Sequence, residues 1–126
     1  MFEGYVPTES EEQITVCQWA EVASFGDPRL ELLYHVPNGG WRHPATAARM
    51  KAEGVKAGVP DLVLPVAAQG YHGLYIEMKV RDHSNRASKD QKRFMDGLIR
   101  EGYKAVVCFG ADEAIEVLMD YLGSEK

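Results

Sequence analysis

Gly58-Val59-Pro60-Asp61-Leu62 is followed, sixteen residues after its aspartate, by Glu77-Met78-Lys79, and these two stretches settle what kind of sheet the chain builds. Asp61-Leu62-Val63-Leu64-Pro65-Val66 is a short apolar strand that begins on a charge, and a carboxylate in such a place is costly unless it has a partner. Pro60 fixes the chain entering that strand and so holds Asp61 in place. From Leu74 to Arg81 the residues alternate: Leu74, Ile76, Met78 and Val80 make an apolar face, and Tyr75, Glu77, Lys79 and Arg81 make the other. Taken alone, that pattern is a half-buried strand with a solvated polar face and an incidental ion pair. If the two strands pair as a hairpin, Asp61 meets Glu77 and Lys79 at one point. Two carboxylates and an amine on one sheet edge suit a divalent metal held beside an activated water.

The chain outside these strands reads as helices with clear ends. Thr8-x-x-Glu11 is a capping box opening a helix that runs to about Phe25. Leu30 to Val36 reads as a strand ended by the turn-rich Pro37-Asn38-Gly39-Gly40. Pro44 suits the first turn of a helix from Ala45 to Glu53, closed by Gly54. The strands Asp61 to Val66 and Gly73 to Val80 are joined by a turn around Gln69-Gly70. Ser88-x-x-Gln91 caps a third helix ending near Arg100-Glu101-Gly102; Lys104 to Phe109 is a short strand, and Asp112 opens a last helix. The order α-β-α-β-β-α-β-α predicts an α/β fold with a central mixed sheet flanked by helices.

A chain of 126 residues, 45% hydrophobic and 26% charged, has the composition of one globular domain, residues 1–126. Cys17 and Cys108 sit in apolar patterns without ligand spacing, which reads as structural thiols in a reducing cytosol. No signal peptide, membrane span, repeat or low-complexity tract is visible, so a soluble cytoplasmic protein with no membrane partner is expected. The net charge of −5 runs against nucleic-acid binding, but its distribution does not. From Arg42 to Arg93 there are ten Lys/Arg against five Asp/Glu, and the acidic excess lies towards the two ends. A basic middle with acidic flanks is compatible with a phosphate-binding face and a repelling back; the alternative is solvated charge scattered in space. His35, His43, His72 and His83 show no ligand spacing, which argues against zinc.

Pro60-Asp61 with Glu77-Met78-Lys79 carries the signature and spacing of the PD-(D/E)XK nucleases, and the chain more narrowly resembles the virus-type replication-repair nuclease (VRR-NUC) domain. Supporting segments are Glu9-Ser10-Glu11-Glu12-Gln13 before Trp19, His35-Val36-Pro37-Asn38-Gly39-Gly40, Gly54 to Asp61, Ser88-Lys89-Asp90-Gln91, and Gly102-Tyr103 before an apolar strand. The resemblance implies a restriction-endonuclease-like core and hydrolysis of DNA phosphodiester bonds with Mg²⁺ or Mn²⁺, leaving 5′-phosphate and 3′-hydroxyl ends. No small-molecule cofactor is expected. It also implies site residues: Asp61 and Glu77 as metal ligands with the Met78 carbonyl, Lys79 beside the attacking water, and a carboxylate from the first helix. Matching Gln13 and Trp19 to the family pattern selects Glu9 for that role; Glu12 stays open if the pattern slips, and Glu11 reads as the cap partner. Gln91 has two readings, a capping-box residue and a hydrogen-bonding support near the metal.

Arg42, Arg49, Lys51, Lys56, Arg81, Arg86, Lys89 and Lys92 are candidates for phosphate contacts, and glycine in Asn38-Gly39-Gly40 lets backbone amides approach a phosphate or simply makes a turn. Phage and bacterial domains of this kind resemble Holliday junction resolvases, so a four-way junction and a homodimer are the expected partners, with the Pro44 to Glu53 helix as the candidate dimer contact. Cutting of flaps or other branched DNA is the alternative within the same chemistry. Two other classes stay open: a non-catalytic nucleic-acid-binding module, and a small-substrate hydrolase using Asp61 and Glu77 as an acid-base pair.

Overall fold

The computed structural model describes residues 4–37 and 43–123. Along the chain come α1 (Glu9–Ala23), a 3-10 turn (Pro28–Leu32), β1 (Tyr34–His35), α2 (Pro44–Ala52), β2 (Leu62–Leu64), β3 (Leu74–Lys79), α3 (Lys89–Arg100), β4 (Lys104–Phe109) and α4 (Ala111–Leu122). The four strands lie in the order β1-β2-β3-β4. β1 with β2 and β2 with β3 are antiparallel, while β3 and β4 are parallel. A parallel neighbour needs a crossover, which α3 supplies. The expected mixed sheet between helices is therefore present.

β2 pairs Leu62 with Ile76 and Leu64 with Leu74, and β4 pairs Cys108 with Met78. Partners in register share a face, so these six residues form one apolar surface, each no more than 1% exposed. Val16 and Ala20 of α1 and Ala111, Ala114, Leu118 and Leu122 of α4 close the same core. The opposite face carries Val63, Tyr75, Glu77 and Lys79. α3 packs against that side, where Tyr103 stands edge-on to Tyr75 with centroids 5.5 Å apart.

Local signals placed most element ends. Thr8 and Ser88 each form a full capping box, with Glu11 and with Gln91. The hairpin turns at Gln69 and Gly70, both at positive φ, between the bridged Ala68 and Tyr71. The segment from Leu30 differs from its expectation as a strand. Pro28 starts a 3-10 turn in which Arg29 N–H donates to Asp27 Oδ1 (3.1 Å), and the turn drives Leu30 into the core while Leu32 stays 52% exposed. Only Tyr34–His35 is left to pair as a strand. α2 starts at Pro44, one residue early, because His43 Nδ1 accepts from the Ala45 amide at 3.2 Å. α4 opens at Ala111, one residue before the expected Asp112, and no side chain of its own segment caps it. Glu12 of α1 accepts from the Ala111 amide instead (3.2 Å).

Candidate active site

Asp61 immediately precedes β2, opposite the C-terminal half of β3. Its Oδ2 accepts from the Met78 amide at 2.7 Å, which ties the carboxylate to the strand between Glu77 and Lys79. Its carbonyl accepts from Val36 N–H at 2.8 Å and lies 2.9 Å from His35 Nδ1, so β1 holds it from the other side. His35 is thus an exposed edge histidine satisfied by backbone. Gly58, at φ +86°, lets the loop before Asp61 press on the start of α3: a Cβ there would stand 2.5 Å from the Asp90 carbonyl oxygen. That contact sets Gln91 over the sheet.

Glu77 and Lys79 share a face, as the alternation predicts, but that face is not solvated: they are 2% and 6% exposed. Lys79 Nζ lies 3.4 Å from Glu77 Oε2. Gln91 makes one hydrogen bond towards the cap of α3 and one towards Glu77. Its Oε1 accepts from Ser88 N–H at 2.8 Å, and its Nε2 donates to Glu77 Oε2 at 3.2 Å. Glu77 Oε1 is enclosed and, among the described residues, receives no hydrogen bond. Burial, then the charge of Asp61 and a hydrogen bond shared with it, push the Glu77 carboxyl up to about 8, against the pull of Lys79. Such an acid keeps a proton at neutral pH unless a cation replaces it.

The helix carboxylates are separated by what they touch. Glu9 joins Asp61 and Glu77 in one group whose ligand oxygens lie within 4.8 Å of one another. Glu12 is elsewhere: both its oxygens accept from Arg81 at 2.7 Å, and it caps α4. Those bonds hold its carboxyl below the usual carboxylate range. Glu11 is the cap partner, accepting from Thr8 N–H at 3.0 Å. Asn85 escaped the sequence reading. Its Nδ2 donates to Glu9 while its Oδ1 accepts from Val80 N–H at 2.9 Å, which links the first helix to the end of β3. An Asn in a loop of turn residues carries no signal of this role.

Three buried or half-buried carboxylates, one with an enclosed oxygen that no described residue donates to, form a hard-oxygen donor set, which fits Mg²⁺ or Mn²⁺. Of the expected phosphate contacts, Arg49 and Lys51 are exposed in the last turn of α2, Lys56 in the following loop, Arg86 in the loop after β3, and Lys89 and Lys92 at the start of α3. Arg81 lies beyond the end of β3 and its guanidinium is occupied by Glu12. Asn38, Gly39, Gly40 and Arg42 lie outside the described residues.

A four-stranded mixed sheet between helices, with Asp61 entering one strand and Glu77 and Lys79 ending the next, defines a PD-(D/E)XK-type core. The profile of the VRR-NUC domain matches residues 6–112. A solved structure described as a VRR_NUC domain protein is similar over 94% of this chain and 91% of its own, with 38% identity and a TM-score of 0.81. No curated protein matches the chain. The chain belongs to the VRR-NUC family, a family of nucleases.

Proposed function

We propose that residues 1–126 act as one divalent-cation-dependent DNA endonuclease domain, and that its substrate is branched DNA, foremost the four-way junction, cut by a homodimer. The observation that carries the reading is the junction of Glu9, Asp61 and Glu77 within 4.8 Å, beside Lys79 and around an enclosed carboxylate oxygen with no donor among the described residues. Glu9, Asp61 and Glu77, with the Met78 carbonyl, would hold the cation, which when bound supplies Lewis acidity to the scissile phosphate and acidifies a water. Lys79 orients that water and offsets the charge that gathers on the phosphate oxygens. Gln91 keeps Glu77 turned towards Asp61. Arg49, Lys51, Lys56, Arg86, Lys89 and Lys92, with Arg42 and the Asn38-Gly39-Gly40 loop, position the DNA backbone without reading sequence.

Support for the dimer comes from α2, which buries none of its residues against the rest of the described chain and so offers a free helix to a second copy. A two-fold assembly matches the symmetry of a junction. The test is cleavage of labelled four-way junction, flap and linear duplex with Mg²⁺ or Mn²⁺, beside Lys79→Ala. Paired symmetric cuts confined to the junction, lost in the variant and in chelator, are expected. Flap or duplex cutting lost in the variant would keep the nuclease and discard junction preference. Tight junction binding without any cutting would leave a binding module.

A further inference from the structure

In the loop after β3, His83 lies flat on Phe109, with ring centroids 3.8 Å apart and planes 8° from parallel. We propose that the outward face of His83 is a nucleobase platform, which stacks an unpaired base next to the scissile phosphate. The proposal rests on the nuclease reading of the neighbouring site and names the part of the DNA it grips. Phe109 is the register partner of Lys79 in the parallel β3–β4 pair, so the two residues share a face one strand apart, about 4.8 Å. The platform therefore adjoins the lysine on the face that carries Glu77. Successive nucleotides of duplex DNA advance about 3.4 Å along the axis, which puts His83, one strand spacing and one ring stack of 3.8 Å from Lys79, within about three nucleotides of a phosphate held there.

Phe109 is half-buried while His83 is exposed, so the ring has a face left for a ligand. The backbone of His83 sits at φ +63°, a region uncommon for residues other than glycine. Asp82 Oδ1 accepting from Ser84 N–H (2.9 Å) and His83 N–H donating to the Val80 carbonyl (3.0 Å) hold it there. The neighbouring Asp82 and Glu113 repel phosphate, and Glu113 already accepts from the Phe109 amide (3.0 Å). What suits an exposed ring among carboxylates is an uncharged base rather than the backbone. A base reaches it only out of its stack, which a branch point allows and intact duplex resists.

The test places 2-aminopurine, in turn, at each position around the branch of a four-way junction, with Ca²⁺ replacing Mg²⁺ so that binding is read without cutting. His83→Asn removes the ring while keeping a residue that tolerates the left-handed backbone, and His83→Tyr restores a ring. A change in 2-aminopurine emission at one branch position, as the base leaves its stack, is expected with the wild type and with His83→Tyr, and not with His83→Asn. KM should rise about 5- to 150-fold in His83→Asn with kcat nearly unchanged, the range typical of losing one base–aromatic stack. An abasic site at the responding position should weaken the wild type by a similar factor and leave His83→Asn unaffected. Equal emission and equal KM in wild type and His83→Asn would overturn the platform while cleavage leaves the nuclease standing. Failure of the wild type to cut any substrate would instead sink the nuclease reading, and the emission change still decides the platform.

Discussion

Replacing Glu77 with glutamine should stabilise the cation-free protein at neutral pH and remove its response to divalent cations. Glu77 is 2% exposed, and its carboxyl is raised from an ordinary 4.5 to about 8, chiefly by burial and then by Asp61. Below 4.5 the folded and unfolded chains both carry the proton, and stability is at its full value. Between 4.5 and 8 the unfolded chain releases the proton and the folded chain keeps it, so stability falls as pH rises, by about 1.4 kcal/mol per pH unit. The fall levels off above the folded value. From about pH 6 to about pH 8 this one group costs about 2 kcal/mol. The glutamine side chain cannot ionise, and its amide can donate to Asp61 where the shared proton was. Urea unfolding in chelator across that range, taken as the difference between variant and wild type, isolates the group from all others that titrate. The difference should widen by about 2 kcal/mol towards high pH. Saturating Mn²⁺ at about 100 times its Kd should raise the wild type by about 2.7 kcal/mol and leave the variant nearly unchanged. Parallel curves for the two proteins in chelator would contradict this account, because they would mean that Glu77 is solvated enough to ionise freely.

The two helix acids should separate cleanly in paired variants. Glu12→Gln is expected to lower stability by about 2–3 kcal/mol, since it leaves Arg81 without its charge partner and weakens the cap of α4, with Mn²⁺ affinity by calorimetry within about twofold of wild type. Glu9→Gln should do the reverse, keeping stability within about 0.5 kcal/mol while Mn²⁺ affinity drops at least about tenfold; equal metal loss in both variants would count against Glu9 as the third ligand. The Glu12 contribution, whose carboxyl is lowered by Arg81, should be present at neutral pH and vanish as acid protonates it in the folded state, so the Glu12→Gln penalty measured by denaturation should shrink at low pH. Asn85→Ala should weaken Mn²⁺ binding several-fold through a freed Glu9, and unchanged affinity would mean that this hydrogen bond positions nothing. Gly58→Ala should destabilise by about 3 kcal/mol, from a positive φ and a 2.5 Å clash with the Asp90 carbonyl; a loss under about 1 kcal/mol in thermal unfolding would show that the loop simply moves aside.

Whatever depends on neighbours a few residues apart was legible in the chain alone. The two capping boxes, the turn at Gln69-Gly70 and the alternation from Leu74 to Lys79 are local hydrogen bonding and local geometry. The approach of Asp61 to Glu77 could be read for the same reason: one short hairpin sets that register. The choice between Glu9 and Glu12 needed the folded arrangement, because they sit on one helix turn and differ in partners 69, 76 and 99 residues away: Arg81, Asn85 and Ala111. Burial of Glu77 and Lys79 likewise depends on tertiary neighbours, Gln91 of α3 over Glu77 among them, on a face that the alternation alone leaves to water. The segment at Pro28 went to a 3-10 turn, with Pro28 at its start and Asp27 capping it through the Arg29 amide, and that turn buries Leu30 while leaving Leu32 exposed. Backbone preference and side-chain period act within a turn or a strand, whereas the charge state and role of a carboxylate are set by the groups that folding brings against it.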